Sequence, residues 1–142
     1  MATLTKDKAR TYESGIEPIF NDLPVIASDI IYGGAAVGES TTTGTYKPFV
    51  TSDSFVGFAY EKADNSSGSA SDINVRVRQR GVIKLTVTGT SAVTDHGVAV
   101  YAADDDDFHL TASLGTQIGV IARWVTGTTC MVYFEGAIVR SI

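Results

Sequence analysis

Between residues 73 and 87 apolar and polar side chains alternate. Ile73, Val75 and Val77 are separated by Asn74, Arg76 and Arg78, and beyond Gly81 the residues Ile83, Leu85 and Val87 are separated by Lys84 and Thr86. A period of two puts one class of side chain on one face of an extended chain, so only a half-buried β-strand satisfies it. Gln79-Arg80-Gly81 can turn the chain, and the two runs predict a hairpin. Arg76, Arg78 and Lys84 would then form a basic stripe across two paired strands, opposite the apolar face. Like charges facing each other weaken a hairpin unless something negative meets them. The stripe therefore reads either as a solvated face balanced by Asp72 or Glu61, or as a docking or oligomer surface for an acidic protein patch.

The rest of the chain repeats this short-strand grammar. Candidate strands are Asp29–Tyr32, Tyr46–Val50, Phe55–Tyr60, Gly97–Ala102, Phe108–Thr111, Gln117–Val125, Thr129–Phe134 and a last one at Ala137–Arg140. Gly38 to Gly44 and Asp64 to Ser71 read as loops, and residues 91 to 97 hold at most a helical turn. Fourteen glycines and only three prolines among 142 residues suit many strands joined by turns. The expected fold is all-β, a barrel or sandwich.

The first residues differ. Thr3 to Ser14 mixes Lys6, Lys8 and Arg10 with Asp7 and Glu13, and Pro18 and Pro24 bias their neighbours toward extended backbone. Residues 1–27 are expected to form an extended arm ahead of a domain at 28–142. Such an arm could reach ~90 Å and lie across a neighbouring molecule; a frayed terminus is the plainer reading.

Sites for chemistry are sparse. Asp104 to Asp107 reads as a solvated turn. Consecutive side chains alternate in direction and no EF-hand spacing is present, so calcium is disfavoured, and an acidic contact with a basic partner is the remaining option. His96, His109 and Cys130 show no nucleophile–base arrangement. No glycine-rich loop precedes a helix, so nucleotide binding is not expected. One cysteine excludes an internal disulfide and a multi-cysteine zinc site. The net charge of −5 disfavours nucleic-acid coating. No apolar run approaches the ~18 residues of a membrane span, and the N-terminus lacks a signal-peptide core, which predicts a chain that stays in the cytoplasm where it is made. Trp124 reads as a core or interface anchor. Neither an enzymatic role, a metal nor a cofactor is expected.

With this strand order, residues 30 to 140 resemble the cement, or head decoration, proteins of tailed bacteriophages, including lambda-like head-stabilising proteins. The stretches that carry the likeness are Tyr32-Gly-Gly-Ala-Ala-Val-Gly38, Phe55-Val-Gly-Phe-Ala-Tyr-Glu-Lys-Ala-Asp-Asn65, Val75-Arg-Val-Arg-Gln-Arg-Gly-Val82, Gly97-Val-Ala-Val-Tyr-Ala-Ala-Asp-Asp-Asp106 and Ile118-Gly-Val-Ile-Ala-Arg123. The resemblance implies a β-tulip fold, a small open β-barrel of short strands, no catalysis, and attachment to the outside of the virion head. The partner would be the major capsid protein, and the chain would bind as a homo-oligomer, with a trimer favoured and a dimer possible. It also implies an N-terminal segment that can add a strand to the capsid protein, with Ile16, Ile19, Phe20 and Leu23 filling pockets. The competing expectation is a carbohydrate- or receptor-binding β-module on a virion surface, for which Tyr46, Tyr60 or Trp124 would supply the exposed ring.

Overall fold

The computed structural model describes residues 4–15, 17–40 and 43–136, and is all-β. Its strands are β1 (Phe20–Pro24), β2 (Asp29–Ile31), β3 (Ala36–Glu39), β4 (Tyr46–Pro48), β5 (Ser54–Ala59), β6 (Ala63–Asn65), β7 (Asn74–Arg78), β8 (Arg80–Thr88), β9 (Ala99–Ala102), β10 (Phe108–His109), β11 (Thr116–Thr126) and β12 (Thr129–Glu135). Two 3-10 turns, Val93–Asp95 and Ala112–Leu114, are the helical elements among the described residues. The expected strand at 137–140 lies outside them.

Five strands close into a barrel in the order β10-β8-β12-β11-β9. The ring shuts where β10 runs parallel to β8, Phe108 opposite Val87, while its other face pairs antiparallel with β9. The all-β barrel expected from the sequence is present, and it closes where the resemblance implied an open one. Alternation specifies which face a strand buries, but closure depends on the two-residue β10, too short to show a period. Beside the barrel lies an open sheet, β1-β7-β5-β3-β4, and a small β2–β6 ribbon.

Each strand of the alternating region exists, but they do not form the expected hairpin. β7 pairs with β1 and β5 in the open sheet, whereas β8 pairs with β12 and β10 in the barrel. Gln79 is the step between them. Its N–H donates to the Ile19 carbonyl and its carbonyl accepts from the Gly136 N–H, both at 2.7 Å. The chain thus changes layer within one residue while the period runs on.

Two cores follow from the two faces of the open sheet. On one face Phe55 and Phe58 of β5 project into the apolar interior shared with Ile83, Leu85, Val132 and Phe134 of the barrel. The Phe58 and Phe134 rings meet edge to face at 4.9 Å, an arrangement that adds to the area term. On the other face Val37, Val56, Val75 and Val77 pack with Val25, Ile31 and Ala63. Gly57 sits where β5 crosses β7. At φ +140° a Cβ there would lie 2.2 Å from the Arg78 carbonyl oxygen, so only glycine lets the strands approach.

The N-terminal residues do not project. Val25 is fully buried, Leu23 packs against the second core, and β1 covers the outer edge of β7 in a register running from Phe20 opposite Arg78 to Pro24 opposite Asn74. The arm expected at residues 1–27 is therefore, over its described part, an extended segment lying on its own body. The β1 backbone pairs the outer edge of β7, and Leu23 and Val25 find their apolar contacts in the second core, without a second molecule.

Candidate interaction surface

Residues Leu4 to Glu13 form a clasp across the gap between the open sheet and the barrel. Lys8 donates its N–H to the Gly33 carbonyl, and Asp7 accepts the Gly33 N–H. Farther along, the Lys84 N–H donates to the Thr11 carbonyl, Tyr12 bridges to Ile83, and the Glu13 N–H donates to Val82 of β8. Gly34 makes this path possible: at φ +89° a Cβ would stand 2.0 Å from the Lys8 carbonyl oxygen.

The clasp closes on the acidic run, and this corrects the solvated-turn reading. Asp104 and Asp105 are buried, each 1% exposed. Asp106 receives Arg10 at 2.8 Å and Lys8 at 3.0 Å. Arg10 also donates to the Gly34 carbonyl, and its guanidinium lies 5.7 Å from the Phe58 and Phe108 ring centres. Asp105 accepts the Leu4 N–H. Burial, then the carboxylates of Asp104 and Asp106, push the Asp105 carboxyl up to about 6. Asp104 is likewise raised by burial first. The basic partner of the acidic run is thus the chain's own N-terminal segment. Sequence reasoning missed this contact because the partners are nearly a hundred residues apart, and only Lys8 and Arg10 facing four acids hinted at it.

The expected basic stripe is dispersed. Lys84 is exposed on the barrel, away from β7. Arg76 is exposed on the sheet, 3.7 Å from Asp22, a separation and exposure at which an ion pair contributes little. Arg78 is buried, 9% exposed. Its Nε donates to the Arg80 carbonyl and its guanidinium lies over the Tyr12 ring at 4.2 Å, with no carboxylate in salt-bridge range among the described residues. Trp124, half-buried on β11, donates its indole N–H to the Gly127 carbonyl beside the β11–β12 turn.

What the sheet does offer is an edge. The bonds from Gln79 to Ile19 and from Val25 to Ile73 fix which β1 residues face β7. By antiparallel alternation the intervening Phe20 and Asp22 direct their N–H and C=O groups outward. β1 is an end strand, so among the described residues this side has no neighbour within the sheet. Around it stand Ile19 and Tyr60, 37% and 58% exposed. Phe20 meets Tyr60 edge to face at 5.2 Å, and the Arg76 guanidinium lies 5.6 Å from the Phe20 ring centre. Phe20, Tyr60 and Arg76 line a hollow of about 190 Å³. Of the four apolar residues expected to grip a partner, Ile19 is the most open, Phe20 half-buried and Leu23 turned to the core; Ile16 lies outside the described residues.

The remaining candidates are not assembled into a reactive site. His96 Nδ1 is 2.9 Å from the Ala122 carbonyl oxygen, His109 is buried at the barrel seam, and Cys130 is buried with its thiol pushed up by desolvation. No group of three or more His, Cys, Asp or Glu among the described residues is placed to hold a metal ion. Of the rings that could serve a glycan, Tyr46 packs against the second core and Trp124 is engaged within its turn, leaving Tyr60. No protein-family model and no curated protein matches the chain.

Proposed function

We propose that the chain is a non-enzymatic structural protein of a tailed-phage virion. Made in the host cytoplasm, it binds the exterior of the head and clamps neighbouring major capsid subunits. The observation that carries this reading is the uncovered β1 edge beside Ile19, Phe20, Tyr60 and Arg76. Unpaired strand backbone flanked by apolar and cationic side chains suits strand addition or edge docking to another protein. The resemblance of its Gly-led strand sequence to head decoration proteins supports the same reading.

The physics of the role asks for contact area and repetition rather than chemistry. A standard contact buries about 800 Å² per partner, and linking several such contacts through a homo-oligomer raises effective affinity by ~10²–10⁴. The test is light scattering of the free chain followed by co-sedimentation with expanded, empty heads. A trimer or dimer that pellets with heads is expected. A monomer that stays in the supernatant would overturn the reading.

A further inference from the structure

Between the clasp and the ends of β5 and β7 lies a second concavity, an open groove of about 830 Å³. Its charged lining comprises Asp7, Lys8, Arg10, Glu61, Lys62 and Arg78. Lys8 and Arg10 are committed to Asp106, and Asp7 accepts the Gly33 N–H. Lys62 lies 5.3 Å from the Tyr32 ring centre. Glu61 is exposed, which leaves Arg78, a cation more than nine-tenths buried whose partners among the described residues are aromatic faces and one carbonyl. Beside it Tyr12 also lines the groove, and its hydroxyl is buried without a hydrogen-bond partner among the described residues. Burial pushes the Tyr12 phenol up to about 12, so it stays an O–H donor across the working range of pH. Buried polar groups are nearly always partnered, and a buried charge without a counter-charge is costlier still. The Tyr12 hydroxyl lacks a hydrogen-bond partner and Arg78 lacks a counter-charge among the described residues, and both groups donate hydrogen bonds.

We propose that this groove binds a single carboxylate, an Asp or Glu on an otherwise uncharged segment of a partner protein, with Arg78 and the Tyr12 hydroxyl as the recognising groups. An arginine fork and a phenol O–H together match the two oxygens of one carboxylate. A polyanion is the poorer fit, because Glu61 and Asp7 line the same groove and the chain carries a net charge of −5. Tyr60 joins the two concavities, lining both the groove and the hollow beside Phe20 and Arg76. A bound segment would thus run from the carboxylate pocket onto the β1 face. The identity of the partner as a capsid subunit rests on the function proposed above; the carboxylate pocket does not.

The experiment uses the full chain and the Tyr12→Phe variant, which keeps the ring under Arg78 and removes only the hydroxyl. Each is titrated with a capped peptide carrying one Glu between apolar residues, with its Gln counterpart, and with inorganic phosphate, while the Arg78 Nε–H resonance is followed by NMR. The Glu peptide is expected to move that resonance and to bind about tenfold more weakly to Tyr12→Phe, the scale of a hydrogen bond to a charged group. The variant should melt at or above the temperature of the parent, since the hydroxyl it removes is buried without a partner among the described residues. Equal binding of the Gln peptide, phosphate binding as tightly as the Glu peptide, or unchanged affinity in Tyr12→Phe would each overturn the proposal. Head co-sedimentation separates the two readings. If the parent pellets with heads and Tyr12→Phe does so equally, the groove is excluded and the virion role stands; if the parent fails to pellet while the Glu peptide binds, the reverse holds.

Discussion

The barrel and the open sheet are built from the same short strands but end differently. In the barrel every strand has two neighbours, and the backbone closes on itself. In the sheet β1 and β4 are end strands, and the exposed Ile19 and Tyr60 stand around the β1 end, whereas the exposed Val93, Val98 and Leu114 belong to connections between barrel strands. Closure removes the edges through which β-proteins associate. We propose that the closed half supplies stability and the open half recognition, with the clasp of residues 4–13 binding the two.

The largest expected effect breaks the division where the halves share a core. Phe134→Ala removes a fully buried ring that touches Phe55 and Phe58 of the sheet and Tyr12 of the clasp. A loss of about 4 kcal/mol is expected in denaturant unfolding, with barrel and sheet melting together. Arg10→Ala comes next, at about 3 kcal/mol, because it strips Asp106 and the Gly34 carbonyl of a buried partner. Limited proteolysis should then cut first within residues 4–13.

Asp105→Asn sharpens the picture in the opposite direction. The Asp105 carboxyl is raised to about 6 by burial, so the folded chain holds this proton more tightly than the unfolded one. The stability it contributes is complete below about pH 4 and is lost as pH rises through about 6. Asparagine can still accept the Leu4 N–H, so the variant should gain about 1–2 kcal/mol at pH 7. Its melting temperature should vary less between pH 4 and 6 than that of the parent. The smallest effect on stability belongs to Tyr60→Ser, under about 0.5 kcal/mol, since the ring is 58% exposed.

Much of the architecture was legible from alternation. β7 and β8 stand where Ile73 to Val87 alternate, and most other strands fall within a residue or two of their expected spans. Partner choice was not legible, because a period of two names a buried face and is silent about who covers it. β1 was hidden by Pro18, Pro24 and a single turn's worth of apolar residues, and its pairing with β7 is a long-range event. The site was harder still. Arg78 reads as one more exposed arginine of an alternating strand, yet the layer change at Gln79 and the overlying Tyr12 bury it. Four consecutive aspartates likewise look solvated until Leu4, Lys8 and Arg10 are folded onto them.

The division of labour is tested most directly by co-sedimentation with expanded heads of two charge-reversed variants at equal concentration. Arg76→Glu alters the β1 face of the sheet, and Lys84→Glu alters an exposed position on the barrel. The account predicts that Arg76→Glu remains in the supernatant while Lys84→Glu pellets like the parent. Loss of binding in Lys84→Glu with Arg76→Glu unaffected would contradict it.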